Sequence, residues 1–314
     1  MRKELLWAGI IGISFGLVIA FGVWRVNSSL KTKNISIKNT PQPKANASAF
    51  QITLNKPENN DVIVENSTTV SGITKPLSWL TVSGEDEDYI IQTDEQGVFS
   101  QDVNLISGVN QIKITAFDNS GNQSIEKVLV VYSSAFQTRA VETPAPDASG
   151  DASIRQKVVQ KVEELLNKPK AYIGVVTDIT DSTIQIKTLE SEIKQISTSS
   201  DDIAVIKVGT TTKTVKLTDI SIGDFVVAMG YVNSSSVLSA QRILITSPIT
   251  EPKITATLGK ISDIDEVVAN KKTTLAKAVK TKMLKIAEND QIIFVTAIDN
   301  DSPIIRSIFV IQKS

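Results

Sequence analysis

The feature that most constrains this chain is that its C-terminal half is written twice. Ile173-Gly-Val-Val-Thr-Asp-Ile179 returns 85 positions later as Leu258-Gly-Lys-Ile-Ser-Asp-Ile264. Leu217 to Ile245 returns as Met283 to Ile311 at an offset of 66 without a gap, so the second copy is 19 residues shorter in its middle. Asp224 then matches Asp290, and Val226 and Val227 match Ile292 and Ile293. Each copy is a set of β-branched runs punctuated by turn residues, such as Ile222-Gly-Asp224 and Asp299-Asn-Asp301. A repeated unit of this size buries its apolar face by closing on itself or by packing on its neighbour. The expectation is a tandem of small β-barrel-like repeats at 169–247 and 254–314, or one composite β-domain with a pseudo-twofold relation. Val226, Ile292, Ile243 and Phe309 should point inward. Asp224 and Asp290 should sit at the turns entering their strands, where a short carboxylate bonds local amides.

A different β-pattern occupies residues 50–134. Phe50-Gln-Ile-Thr-Leu54, Thr69-Val-Ser-Gly-Ile73 and Trp79-Leu-Thr-Val82 are short and bounded by Pro57, Pro76 and Gly84. Phe99, Gln101, Val103 and Leu105 alternate along one strand, and Ile112, Ile114 and Ala116 along the next. Asp118-Asn-Ser-Gly-Asn122 has the chemistry of a hairpin turn. About seven such strands in so short a stretch fit an Ig-like β-sandwich. Trp79 falls out of phase with Leu80 and Val82, which makes it a candidate partner contact. The run Glu85-Asp-Glu-Asp88 lacks the alternating spacing and glycine of a calcium loop, so it reads as a solvated hairpin tip.

These motifs carry two resemblances. Val70-Ser-Gly-Ile-Thr-Lys-Pro76, Asp94-Glu-Gln-Gly-Val-Phe-Ser100 and Gly108-Val-Asn-Gln-Ile-Lys-Ile-Thr-Ala-Phe-Asp-Asn-Ser-Gly-Asn122 are similar to the bacterial Ig-like module found as domain B of glucodextranase. That resemblance implies a spacer or binding module outside the membrane and brings no catalytic residue. Gly174-Val-Val, Ile222-Gly-Asp-Phe-Val-Val227 and Leu238-Ser-Ala-Gln-Arg-Ile243 resemble a bacterial small-barrel family of unknown function. The second copy departs from that pattern, with Asn289 for Gly223 and Thr296 for Gly230.

Ahead of the sandwich, Leu5 to Trp24 is an uncharged run of 20 residues, long enough as a helix to cross a bilayer core of about 30 Å. Trp7 and Trp24 stand at its ends, where indole rings favour the interface. We read an uncleaved signal anchor at 5–24, with a cytoplasmic tip at 1–4 and exported domains beyond. Gly12 and Gly16 form a small-x-x-x-small pair, a candidate helix-dimerisation face. Residues 25–49 and 135–152 read as linkers, the first with five cations and no acid. Residues 153–168 read as one short helix, with Ile154, Val158, Val162, Leu165 and Leu166 on one face.

Composition narrows the chemistry. The chain has no cysteine and no histidine, which removes thiol catalysis, disulfides and the commonest general base and transition-metal ligand. The sandwich carries 4 Lys against 12 acids, a poor surface for a phosphate backbone. Neither a cofactor, a metal nor a nucleic acid is expected. The cations from Lys271 to Lys285 alternate with other residues as a solvated face. The reading at this level is a membrane-anchored, extracytoplasmic, non-enzymatic surface protein that acts as a structural or binding module. Its partner would be a protein or a cell-wall polymer. The alternative is an accessory subunit of an envelope secretion or surface-polymer assembly machine.

Overall fold

In a computed structural model, the described residues are 50–118, 120–136, 168–200, 202–250, 253–264, 274–275, 285–299 and 302–313. All of them belong to one unit, Phe50–Ser314. The anchor at 5–24 with Gly12 and Gly16, both linkers, and the helix at 153–168 apart from Lys168 lie outside them. Among the described residues no helix is long and apolar enough to cross a membrane.

The first layer is a sandwich. Strands β1 (Thr53–Lys56), β3 (Ser67–Ile73) and β6 (Val98–Asn104) make one antiparallel sheet in the order β1-β3-β6. Facing it are β2 (Asp61–Ile63), β4 (Trp79–Ser83), β5 (Asp88–Gln92), β7 (Gly108–Phe117) and β8 (Gln123–Tyr132), in the order β2-β8-β7-β4-β5. Alternation places Val70, Phe99 and Val103 of one sheet against Leu80, Val82, Ile112 and Ile114 of the other, all fully buried or nearly so. The other sides of β7 and β8 are free to pack elsewhere, and they do.

The first repeat follows from β9 (Lys170–Ile179), β10 (Thr183–Thr188), β11 (Ile193–Ser197), β12 (Ala204–Val208), β13 (Thr212–Val215), β14 (Phe225–Val232) and β15 (Val237–Thr246). β9 pairs β10, β10 pairs β11, β11 pairs β15 in parallel, β15 pairs β14, and β14 returns to β9. The ring is therefore closed. Five strands in the cyclic order first-second-third-fifth-fourth, with a parallel third–fifth pair, form the barrel known as the OB-fold. The β12–β13 hairpin is an insertion, and β12 pairs in parallel with the C-terminal half of β15. Val176, Ile184, Ile186, Ile196, Leu238 and Ile243 fill the interior. Gly174 is required on β9, because a Cβ there would stand 2.1 Å from the carbonyl oxygen of Lys187.

The second repeat comprises β16 (Thr255–Gly259), β17 (Thr274–Leu275), β18 (Gln291–Asp299) and β19 (Ser302–Gln312), ordered β16-β18-β19-β17 with β17 parallel to β19. This is the order of the first copy without a counterpart of β10 among the described residues. Residues 261–264 instead make one helical turn whose Ile264 joins Ile292, Phe294, Ile305 and Ile308 in the core. Gly174 pairs with Val226 in the first copy, and Gly259 pairs with Ile292 in the second. Both matched pairs keep the sequence offsets. The bulge between Met229 and Gly230 recurs between Val295 and Thr296. Asp224 Oδ2 accepts the amide of Ser221 at 2.9 Å, and Asp290 Oδ2 accepts that of Ala287 at 3.0 Å.

One expectation fails. Phe309 does not point into its repeat's core, where Ile243 does. In the first copy Val232 pairs with Leu238, whereas Ile298 pairs with Pro303 in the second. The second hairpin is one residue shorter, so the gapless offset of 66 becomes 65 along β19. A slip of one residue turns a strand's side chains to the opposite face. Ile308 takes the inward place, and Phe309 turns out to a second cluster with Ile293, Val295 and Ala256.

The three parts are joined. β2 carries the large sheet from the sandwich into the barrel by pairing with β8 on one edge and with β9 at Asp61–Lys170 on the other. The second repeat lays the outer face of β16, β18 and β19 on Phe117, Ile90 and Trp79 of the sandwich.

Candidate binding groove at the sandwich–barrel junction

The residues singled out in the sequence are dispersed. Trp79 is half-buried and packs against the second repeat, so its ring faces this chain's own β-sheet. The carboxylates of the acidic run go to separate tasks. Glu85 Oε1 accepts the amide of Gln111 at 2.9 Å, and Glu87 Oε2 accepts the Tyr89 hydroxyl at 2.7 Å. Asp88 Oδ2 accepts the Ser307 hydroxyl at 2.6 Å and lies 3.3 Å from Arg306 Nε. Among the described residues no group of three or more acids is placed to hold a metal ion. Of the lysine run, only Lys285 is described, and it is exposed.

On an OB-fold barrel the outer face of the second and third strands is the usual meeting place for oligonucleotides and sugars. Here that region presents Val175, Lys187 and Ile193 in one cross-strand row, with Thr177, Gln185 and Gln195 beside them. These six include no aromatic ring on which a base could stack.

The aromatic side chain lies instead at the end of the barrel nearest the sandwich. The β10–β11 turn, the β14–β15 turn and the start of β9 converge there on a groove of about 570 Å³. Tyr172 forms its wall. The Tyr172 hydroxyl donates to the carbonyl of Ser236 at 2.8 Å, which fixes the ring against the β14–β15 turn. Lys194 Nζ stands 5.9 Å from the ring centroid and 2.8 Å from Glu192 Oε2. Burial raises the Tyr172 pKa, with Lys194 opposing and Glu192 adding. The hydrogen bond to Glu192 raises that of Lys194. Asn59, Asn60 and Asn233 line the rest, with Lys168 and Lys170 at one side.

Those two lysines belong to the junction between sandwich and barrel. Asp61 is 1% exposed, and its Oδ2 lies 2.5 Å from Lys168 Nζ while its Oδ1 lies 2.6 Å from Lys170 Nζ. Lys170 also reaches Glu58. Burial alone would lower the Lys170 pKa, but the hydrogen bonds from Asp61 and Glu58 outweigh it and leave the value raised. The backbone follows the same line: Ala171 donates to the Asn60 carbonyl at 2.8 Å and Val62 to that of Pro169 at 3.2 Å. Sequence reasoning missed this cluster because its members lie more than 100 positions apart. Asp61 gave no signal, since it follows Glu58-Asn-Asn60 and reads as part of a polar turn ahead of Val62-Ile-Val64.

Chemically the groove offers amides, ammonium groups balanced by carboxylates, and one fixed aromatic ring. That set hydrogen-bonds hydroxyl-rich or amide-rich surfaces. Its cations are already tied to acids, so it has little to offer a polyanion.

Residues 51–133 match the sequence family described as glucodextranase, domain B. No curated protein matches the chain. Among solved structures it is similar to a carbohydrate acetylesterase from Xanthomonas citri, with 20% identity over 26% of this chain and 19% of that one, at a TM-score of 0.20. It is also similar to a Ca2+-stabilized adhesin by which an Antarctic bacterium binds ice, with 13% identity over 85% and 64% and a TM-score of 0.21. A third similarity is to the SGBP-B protein of the Bacteroides ovatus mixed-linkage glucan utilization locus, with 10% identity over 62% and 70% and a TM-score of 0.20. The chain thus spans about a fifth of the first of these structures and less than two-thirds of the second.

Proposed function

We propose that this chain is an extracytoplasmic, non-enzymatic binding module, held at the membrane by residues 5–24, that presents the groove around Tyr172 to an uncharged glycan or to a protein. The groove carries the reading. It combines a fixed aromatic wall, three asparagines and the Lys194–Glu192 pair, with Lys168 and Lys170 tied to sandwich acids at one side. A sugar recognises such a set by stacking its apolar face on the ring and by hydrogen-bonding its hydroxyls to the amides. The sandwich's match to a domain of glucodextranase is in keeping with a carbohydrate setting. Beside the groove Glu58, Asp61 and Glu192 are each engaged by a lysine.

The test is retention of the full-length chain on isolated wall polysaccharide, against Tyr172→Ala. A drop in retention of about tenfold supports the reading. Equal retention of the two proteins, or none of either, sinks the groove as the binding site. Cross-linking in intact membranes addresses the second reading, the accessory subunit. Capture of one stoichiometric protein complex, abolished by the same substitution, favours a protein occupant.

A further inference from the structure

Each repeat carries one arginine on its last strand, and the two have opposite surroundings. Arg306 on β19 lies 3.3 Å from Asp88 and donates through Nη2 to the Gly84 carbonyl at 3.1 Å. Arg242 on β15 also faces the sandwich, but its guanidinium has no ion pair and no hydrogen bond among the described residues. It is only partly exposed, so its donors are open to an acceptor that enters from the cleft.

Arg242 lies in a cleft of about 510 Å³ between the barrel, the end of the sandwich and the β12–β13 hairpin. Ile206 and Val208 of the hairpin, Met229 and Leu244 of the barrel and Ile249 beyond it give the cleft apolar walls. Met229 is the direct cross-strand neighbour of Arg242. Among the described residues that line the cleft, Arg242 is the only charged one. The volume is in the range of a small-molecule site, and a junction between domains is a usual place for one.

We infer that this cleft binds a monocarboxylate carried on an apolar body, with Arg242 taking the carboxylate through a two-pronged hydrogen bond. A single guanidinium matches one planar carboxylate in charge and shape. A phosphate dianion would call for a second cation, and the described lining has none. The apolar body covers Leu244 and Val208, with the fully buried Met229 behind that wall. The same chemistry is found in a free fatty acid and in a chain's C-terminal residue, so the test separates the two. This site is distinct from the Tyr172 groove, and each can fail without the other.

Methionine makes the test local, because the chain has only Met1, Met229 and Met283. The full-length protein, labelled with methyl-13C methionine and held in phospholipid discs, is titrated with octanoate, octanol and octylamine. The Met229 signal is assigned from Met229→Leu. Octanoate should shift Met229 saturably while Met1 and Met283 stay still. Octanol should bind at least tenfold more weakly, and octylamine more weakly again. Arg242→Gln should weaken octanoate at least tenfold, and Arg242→Lys should restore part of the loss. Val208→Glu places a carboxylate at an exposed position of the wall and should weaken octanoate without changing the melting temperature. A capped apolar tripeptide with a free C-terminus, against its amide, reports whether a chain end can replace the fatty acid. The inference is overturned if neither octanoate nor the free-acid peptide moves Met229. It is equally overturned if Arg242→Gln leaves the octanoate titration unchanged, or if octylamine binds as well as octanoate.

Discussion

The two repeats began from one pattern and solve the burial problem differently. The first closes a ring around its own core; the outward sides of β9 and β14 still pack on Val62, Val131 and Phe136, while the outward residues of β10 and β11 stay at the surface. The second, with no counterpart of β10 among the described residues, leaves a four-stranded sheet with two faces to cover. One is covered by the helical turn at 261–264 and the other by the sandwich. A closed copy can carry a binding surface, and an open copy serves as a brace.

The strongest way to break this comparison is to bury a charge in each copy. Val226→Asp and Ile292→Asp each place a carboxylate among fully apolar neighbours and should destabilise by more than about 4 kcal/mol. Chemical denaturation followed by hydrogen exchange should then show loss of protection in β9–β15 for the first. For the second, protection should be lost in β16–β19 and in the sandwich strands that it covers. Loss confined to β16–β19 would mean that the brace is not one.

The register slip predicts a smaller contrast. Ile308→Ala should cost about 3 kcal/mol, as Ile243→Ala should in the first copy. Phe309→Ala should cost less to the copy's own core. It should instead expose Trp79, read as a red shift of its fluorescence. A core loss from Phe309→Ala as large as that from Ile308→Ala would restore the gapless offset.

Smaller again is the pair of matched glycines. A Cβ on Gly174 meets backbone, so Gly174→Ala should cost about 2 kcal/mol. A Cβ on Gly259 meets the end of the Asp263 side chain at 2.3 Å, and that side chain can turn away. Gly259→Ala should cost below about 1 kcal/mol, near what surface changes cost. Equal losses in urea midpoints would count against the difference in packing.

The last contrast is between the junctions. Lys170 has a raised pKa, so the stability it contributes is present below its ordinary value of 10.5 and is lost as pH rises through the folded value. In the other junction Arg306, not a lysine, engages Asp88. Melting temperature between pH 9 and 12 should therefore fall less in Lys170→Arg than in the parent. An unchanged slope would show that the Asp61 cluster is not pH-linked.

What was legible in the sequence was local or periodic. The sandwich announced itself because each turn carries its own chemistry: Asp118 Oδ1 accepts the amides of Ser120 and Asn122 as that turn requires. Asp224 and Asp290 were legible for the same reason. The out-of-phase position of Trp79 was legible, but its packing on the second repeat was not, since the sequence offered it as a partner contact. The closing of the ring was not legible, because it depends on the parallel β11–β15 pairing across some 40 residues. Nor was the slip at Phe309, since the strand is apolar on both faces and either register looks acceptable. The Asp61 cluster and the solitary state of Arg242 need three-dimensional neighbours to be seen at all.

The placement of β2 has a mechanical consequence. It runs parallel to β8, with Asp61, Val62 and Ile63 beside Val130, Val131 and Tyr132. Tension that enters the sandwich at its beginning and leaves where β8 ends pulls these neighbours in opposite directions along their length. Parallel strands loaded this way are sheared, so their bridging hydrogen bonds resist together rather than opening one at a time. Asp61 adds its grip on Lys168 and Lys170, just where the chain re-enters after that clamp. A tug along the chain thus loads the seam between sandwich and barrel in shear.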